Sequence, residues 1–231
     1  VLANQSYLRS RMEGIATTLL GAPSEFISFL EEAIVTGGLE HPNIVPAYDL
    51  GWSDLHGPYY TMKRLSGESL DNILNRLRAG EPQARRTYTV TRLLGYFVEI
   101  CRAVVHAHTR GVIHTDLKPS NVLIGEHHEV VVVDWGLAMV LGPEGARQAR
   151  ARLHAGTPGY ISPEQLSGPV EELDVRTDIW SLGVMLYELL TWTVPFRGHN
   201  PQETGMRVLI EPIETPSERA PNHAIAPGLE Q

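Results

Sequence analysis

The chain runs to 231 residues, 42% of them hydrophobic, with a formal net charge of −8 and a single cysteine, Cys101. That length and apolar content suffice to bury a core in one or two domains, whereas the negative balance argues against a broad nucleic-acid surface, which needs clustered Lys and Arg. One cysteine excludes a disulfide framework and a thiolate metal set, and no run approaches the ~18 apolar residues of a membrane helix.

The opening stretch VLANQSYLRSR lacks the apolar centre of a signal peptide, so the chain reads as soluble and cytoplasmic. SEFISFLEEAIVTGGL places Phe26, Phe29, Leu30, Ala33 and Ile34 on one helical face, with Ser24 as its cap and Gly37-Gly38 as its end. HPN then turns the chain into IVPAYDLGW and, past DLHG, into PYYTMKRL, which together read as a strand pair. The pattern is helical again from Glu68 to Arg78 and from Thr89 to His108, with the polar stretch AGEPQARRT between them. In the second helix Leu94, Phe97, Val98, Cys101, Val104, Val105 and His108 fall at helical spacing, and Gly111 marks its stop.

Residues 114–121 read HTDLKPSN. Pro119 lacks an N–H and disfavours helix at Lys118, so these polar groups are expected on a loop. NVLI and EVVVVD around GEHH then read as a hairpin ending at Asp134. A long loop, 137–161, leads to DIWSLGVMLYELLTW, which is apolar nearly all round and is therefore expected as a buried helix. The tail from Glu211 holds Pro212, Pro216, Pro221 and Pro227 and promises little regular structure. Five histidines, His106, His108, His114, His127 and His128, raise the question of a metal site, but their spacings fit no zinc pattern. His114 reads as packed and the 127–128 pair as a hairpin tip.

These pieces together resemble the protein kinase family. HTDLKPSN is similar to its catalytic loop, VVVDWG to its metal-binding Asp-Phe-Gly, GTPGYISPEQ to its Ala-Pro-Glu region, DIWSLGVMLYELLTWTVPF to its central helix, and FLEEA with LEHPNIV to its early regulatory helix. The likeness runs from about Phe26 to Leu209, with five motifs in order. It implies an α+β, two-lobe fold: a small β-containing lobe over residues 1–65, incomplete here, and a mainly helical lobe over 66–231.

The resemblance implies ATP and Mg²⁺ as cofactors and protein substrates bearing Ser or Thr hydroxyls. Asp116 would orient or deprotonate the acceptor hydroxyl, Lys118 would pair with the transferring phosphate, and Asn121 and Asp134 would hold Mg²⁺ through oxygen. Lys118 together with Thr157 resembles the serine/threonine branch. Met62 would back the nucleotide pocket, the backbone of Lys63 and Leu65 would meet the adenine edge, Glu68 would reach the ribose and Leu123 would pack under the base. Met62 and Leu123 read equally well as core residues, and Glu68 as a solvated acid. Asp178 reads both as a helix cap and, by the resemblance, as a brace for the catalytic loop.

The chain departs from the family in four places. It contains no G-x-G-x-x-G phosphate loop and no Val-Ala-x-Lys strand, whose lysine would pair with Glu32; a fragment cut just after that lysine is the expectation. By the resemblance, the arginine that would pair with Glu164 is expected on helices into which the family continues past the point matched by IAPGLEQ. Trp135 stands for Phe and Ser162 for Ala. Thr115 stands for the arginine that receives a loop phosphate, and residues 137–156 contain no Ser, Thr or Tyr. Arg147, Arg150 and Arg152 make that loop basic. Two rival readings remain: an aminoglycoside- or choline-type phosphotransferase, against which Lys118, GTPGYISPEQ and the DIWSLG helix speak, and a scaffold that binds without transferring.

Overall fold

A computed structural model of the chain describes residues 7, 10, 24–142, 156–169 and 172–229, with only the backbone at 24–28 and 31. Arg147, Arg150 and Arg152, and the side chains of Ser24 and Phe26, lie outside the described residues.

The small lobe is built on one helix and one hairpin. Helix α1, Ser24–Gly37, closes where the Gly38 N–H donates to the carbonyls of Ile34 and Val35. Strands β1, Ala47–Ser53, and β2, Gly57–Met62, pair antiparallel with Leu50 opposite Tyr60. Residues directly opposite share a face, so Leu50 and Tyr60 both point to the side that α1 covers. There Leu30, Ala33 and Leu50 are buried together, with Phe29, Ile34 and Tyr60 packed around them.

The larger lobe begins with a two-residue strand, β3, Glu68–Ser69, which joins β5, Val122–Ile124, and β6, Val130–Val132, in an antiparallel sheet of order β3-β5-β6. Gly67, at φ 137°, is required just before it: a Cβ there would stand 2.2 Å from the Ile124 carbonyl oxygen. Ser69 caps helix α2, Leu70–Arg78, by accepting from the Asn72 N–H. A short helix α3, Pro82–Thr87, then occupies the stretch expected to be merely polar; proline at its first turn supplies the start that periodicity could not reveal. Helix α4, Val90–His108, is capped by Thr89.

The apolar face assigned to α4 requires correction. Leu93, Tyr96, Ile100, Ala103, Val104 and Ala107 are its buried residues, while Val98 and Val105 are 48% and 59% exposed. The helix is apolar on more than one side, and packing against β6 and the later helix Val175–Thr191 selects the face. Strand β4, Val112–Ile113, pairs with β7, Met139–Val140, inside the stretch expected as a long loop. Helix α5, Pro163–Ser167, is opened by a Ser162/Gln165 capping box. Helix α6, Val175–Thr191, runs through the lobe and is followed by α7, Pro201–Ile210, and α8, Pro216–Arg219. Thus the proline-rich tail still forms one capped turn of helix, with Thr215 and Glu218 closing a second capping box.

The boundary expected near residue 65 is crossed by chain stitching. Asn43 Nδ2 donates to the Val130 carbonyl at 2.9 Å, Ile44 bridges Val132, and Leu39 and Ile44 belong to the large-lobe core.

One buried acid ties α2 to α6. Glu188, 2% exposed, accepts from the Arg78 guanidinium and from the Tyr160 hydroxyl, and burial pushes its carboxyl above the ordinary value of 4.5. A carboxyl raised on folding contributes stability that is full below its unfolded value and is lost as pH rises through its folded value. Arg78→Ala is expected to cost about 2–3 kcal/mol, since Tyr160 remains and part of Arg78 is solvated. The loss in denaturant midpoint is expected to be larger at about pH 8 than at about pH 5, because the orphaned acid protonates more readily.

Candidate active site

The loop between β4 and β5 is organised from beneath by Asp178, in the first turn of α6. Its carboxylate is fully buried. Oδ2 accepts from the His114 N–H at 2.8 Å and lies 2.7 Å from His108 Nε2, and Oδ1 accepts from the Thr115 N–H at 2.9 Å. The cap of α6 is Asp174, whose side chain accepts from the Arg176 N–H. Asp178 is therefore the brace and not the cap, a correction that follows from where the helix starts.

Thr115 has φ 66°, a conformation that β-branched residues rarely adopt. Two further contacts beside Asp178's, together with burial, hold it there. Its hydroxyl donates to the Leu137 carbonyl at 2.7 Å, its own carbonyl accepts from Gln165 Nε2 at 2.9 Å, and the residue is buried. Where an arginine would await a phosphate, a short hydroxyl instead fastens the start of the 137–156 loop directly.

This turn delivers the functional side chains together. Asp116 Oδ2 accepts from Lys118 Nζ at 2.6 Å, Lys118 Nζ also donates to Thr157 Oγ1 at 2.6 Å, and the Thr157 hydroxyl donates to Asp116 Oδ1 at 2.7 Å. A single 3₁₀ turn, Pro119–Asn121, carries Asn121 back under the loop. Its Nδ2 donates to the Asp116 carbonyl at 3.0 Å, which leaves the amide oxygen as the cation-binding end. Asp134 sits at φ 61°, which an aspartate tolerates. Trp135 behind it is buried, its ring 4.6 Å from that of His114. Burial holds the His114 imidazole below its usual value, hence neutral in the fold.

Glu32 approaches from α1. A Cβ at Gly136 would stand 3.1 Å from Glu32 Oε2 and 3.2 Å from Asp134 Oδ1, so any larger residue would force the two carboxylates to give by a few tenths of an ångström. Glu32 Oε1 accepts from the Tyr60 hydroxyl at 2.8 Å.

The cleft residues between the lobes are less uniformly gathered. Met62 ends β2 and is exposed, as is Lys63, whose N–H donates to the Pro46 carbonyl. Leu65 is half-buried. Leu123, half-buried between the buried Val122 and Ile124, projects to the opposite face of β5. Glu68 does not join it. Glu68 pairs with Ile124 and Ser69 with Leu123, and the Glu68 carboxylate accepts from Arg76 and Tyr88, each at 2.8 Å. Ser69, passed over in the sequence, is the residue that shares Leu123's face. Gln165, Tyr60 and His108 were also missed as site residues. Glu164, expected without its arginine, accepts from the Thr177 hydroxyl at 2.9 Å.

Among the described residues no cluster of three or more His, Cys, Asp or Glu side chains could hold a metal by itself. Asn121 and Asp134 offer two hard oxygen ligands, the sparse protein set on which Mg²⁺ relies when substrate phosphates and water complete its shell. A carboxylate in contact with an ammonium and a hydroxyl, with oxygen ligands on the neighbouring segments, suits phosphoryl transfer on an α+β, two-lobe scaffold.

A family model described as the protein kinase domain matches residues 21–225, and the chain belongs to that family. It is similar to proteins named serine/threonine-protein kinase PknD from Protochlamydia amoebophila (34% identical, 90% of this chain and 23% of the relative), Chlamydia felis (35%, 88% and 23%) and Chlamydia muridarum (35%, 88% and 24%). The chain thus spans about a quarter of the length of these curated relatives.

Two outcomes are expected from the loop's geometry. Asp178→Asn turns an amide nitrogen toward a buried N–H and is expected to cost about 2–3 kcal/mol, read from the denaturant midpoint. Thr115→Val leaves the Leu137 carbonyl without its donor; limited proteolysis of the segment after Leu137 is expected to accelerate, while phosphatase treatment of the unsubstituted protein leaves its activity unchanged.

Proposed function

We propose that the protein transfers the γ-phosphate of ATP to Ser or Thr hydroxyls of proteins, with Mg²⁺. The observation that carries this reading is the closed circuit of Asp116, Lys118 and Thr157, braced through Asp178. The acceptor oxygen bonds to the γ-phosphorus, the bond to the β–γ bridging oxygen breaks, and the acceptor's proton passes to Asp116. Lys118, already within reach of both Asp116 and Thr157, donates to the transferring phosphoryl oxygens. Thr157 keeps Lys118 and Asp116 in register.

Asn121 and Asp134 would hold Mg²⁺, which neutralises phosphate charge when bound. For the nucleotide, Leu123 and Ser69 offer a common face under the base and ribose, Met62 the back of the pocket, and the Lys63 carbonyl with the Leu65 backbone a hydrogen-bonding edge. Glu68 is better read as part of the Arg76–Tyr88 network than as a ribose ligand.

Supporting a cytoplasmic placement of this domain are its need for ATP and, among the described residues, the absence of a helix long and apolar enough to cross a membrane. The strongly negative charge supports protein rather than nucleic-acid partners.

The test is transfer of radiolabelled γ-phosphate from ATP to a generic Ser/Thr-containing protein by the full-length protein. Asp116→Asn is expected to lower kcat by ~10²- to 10⁴-fold, and Asp134→Ala to reduce transfer to background at every Mg²⁺ concentration. Nucleotide binding without transfer by the unsubstituted protein would overturn the enzyme reading in favour of a scaffold.

A further inference from the structure

Tyr60 has no role in the circuit above, yet it joins three parts of the molecule. Its place opposite Leu50 turns its ring toward α1, where the ring lies 5.0 Å from Phe29 at 45°. The hydroxyl then reaches Glu32 Oε1 at 2.8 Å, and Glu32's other oxygen lies 3.1 Å from where a Cβ on Gly136, the residue two beyond Asp134, would stand. One line of contacts therefore runs from the β1–β2 hairpin through α1 to the Asp134-Trp135-Gly136 turn.

We propose that Tyr60 is a positioning residue for phosphoryl transfer: its hydroxyl fixes the Glu32 carboxylate, and with it α1, against the turn that carries Asp134. The electrostatics suit the task. Burial, then the hydrogen bond and charge of Glu32, and then the charge of Asp134 push the phenol well above its ordinary value, so Tyr60 stays a donor throughout the physiological range. Glu32 and Asp134 are both acids, and the Tyr60 hydroxyl contributes a donor that offsets their repulsion and favours keeping Glu32, with its helix, beside the turn. Phe29 keeps the ring in place, which separates the contribution of the hydroxyl from that of the aromatic packing.

The catalytic part of the inference rests on the kinase reading, whereas the latch itself is readable without it. Tyr60→Phe, Glu32→Gln and the double variant are made in the full-length protein. Since the ring is retained, the thermal midpoint of Tyr60→Phe is expected to stay within about 3 °C of the parent. Its kcat/KM for ATP is expected to fall about tenfold, with KM for the protein acceptor unchanged. In the Glu32→Gln background the same substitution is expected to cost less than about twofold, because residues acting through one contact are not additive. Amide exchange over residues 32–37 and 134–137 is expected to quicken in Tyr60→Phe, whether or not the protein transfers phosphate. Unchanged exchange overturns the latch. An undiminished kcat/KM, an equal loss in the Glu32→Gln background, or an unsubstituted protein that transfers nothing overturns its catalytic role; the last of these also fells the kinase reading, while exchange still decides the latch.

Discussion

The site depends on a carboxylate that never meets water. Asp178 is buried without exposure, an environment in which an uncompensated charge would cost several kcal/mol. It is compensated by donors that are themselves the scaffold: the N–H groups of His114 and Thr115 on one side, and the His108 ring nitrogen from the end of α4 beside them. The first turn of a helix also favours a negative group. Central helix, supporting helix and loop thus converge on one side chain, and the position of Asp116 follows from theirs, because it is the next residue along the loop that Asp178 grips.

The lobes meet at a second place, and there the constraint is steric. The turn 134–136 must receive Glu32 from α1 while Asp134 holds an unusual backbone conformation, and glycine at 136 leaves room for the carboxylate. Trp135 between them is anchored downward on His114. Since the His114 N–H is itself held by Asp178, the buried acid reaches toward the small lobe through two rings in tilted contact and a glycine. Asn43, bonded to the Val130 carbonyl, supplies a parallel strut. The hairpin of the small lobe is therefore linked, through Tyr60 and Glu32, to the turn that carries Asp134.

The parts of this arrangement that were legible in the sequence are those whose chemistry is local. HTDLKPSN announces a loop because Pro119 forbids helix, and its acid, base and amide lie close enough along the chain that any loop brings them near one another. Facing was less legible. In a two-residue strand the side-chain alternation is decided by register alone, and a shift of one residue exchanges Glu68 for Ser69. Helix α4 carries apolar residues round much of its circumference, so its periodicity fitted two faces and tertiary packing selected between them. Helix α3 has no apolar stripe to read. The role of Gln165 depends on a contact fifty residues back along the chain, for which no local pattern exists.

Thr115 shows how a local misfit can be the sign of a local function. A β-branched residue at φ 66° costs on the order of 1–3 kcal/mol, and glycine or asparagine would fit that backbone better. Either would forfeit the hydroxyl donated to the Leu137 carbonyl. The strain persists because the residue is over-determined, held at its N–H by Asp178, at its carbonyl by Gln165 and at its side chain by the loop it secures. A longer cation in its place could reach a phosphate on the following loop, but the twenty residues from Leu137 to Gly156 offer no hydroxyl to carry one. The direct anchor and the missing acceptor agree: the loop is tied at its origin by a neutral hydrogen bond, and no residue from Leu137 to Gly156 has a hydroxyl on which a phosphate could be placed.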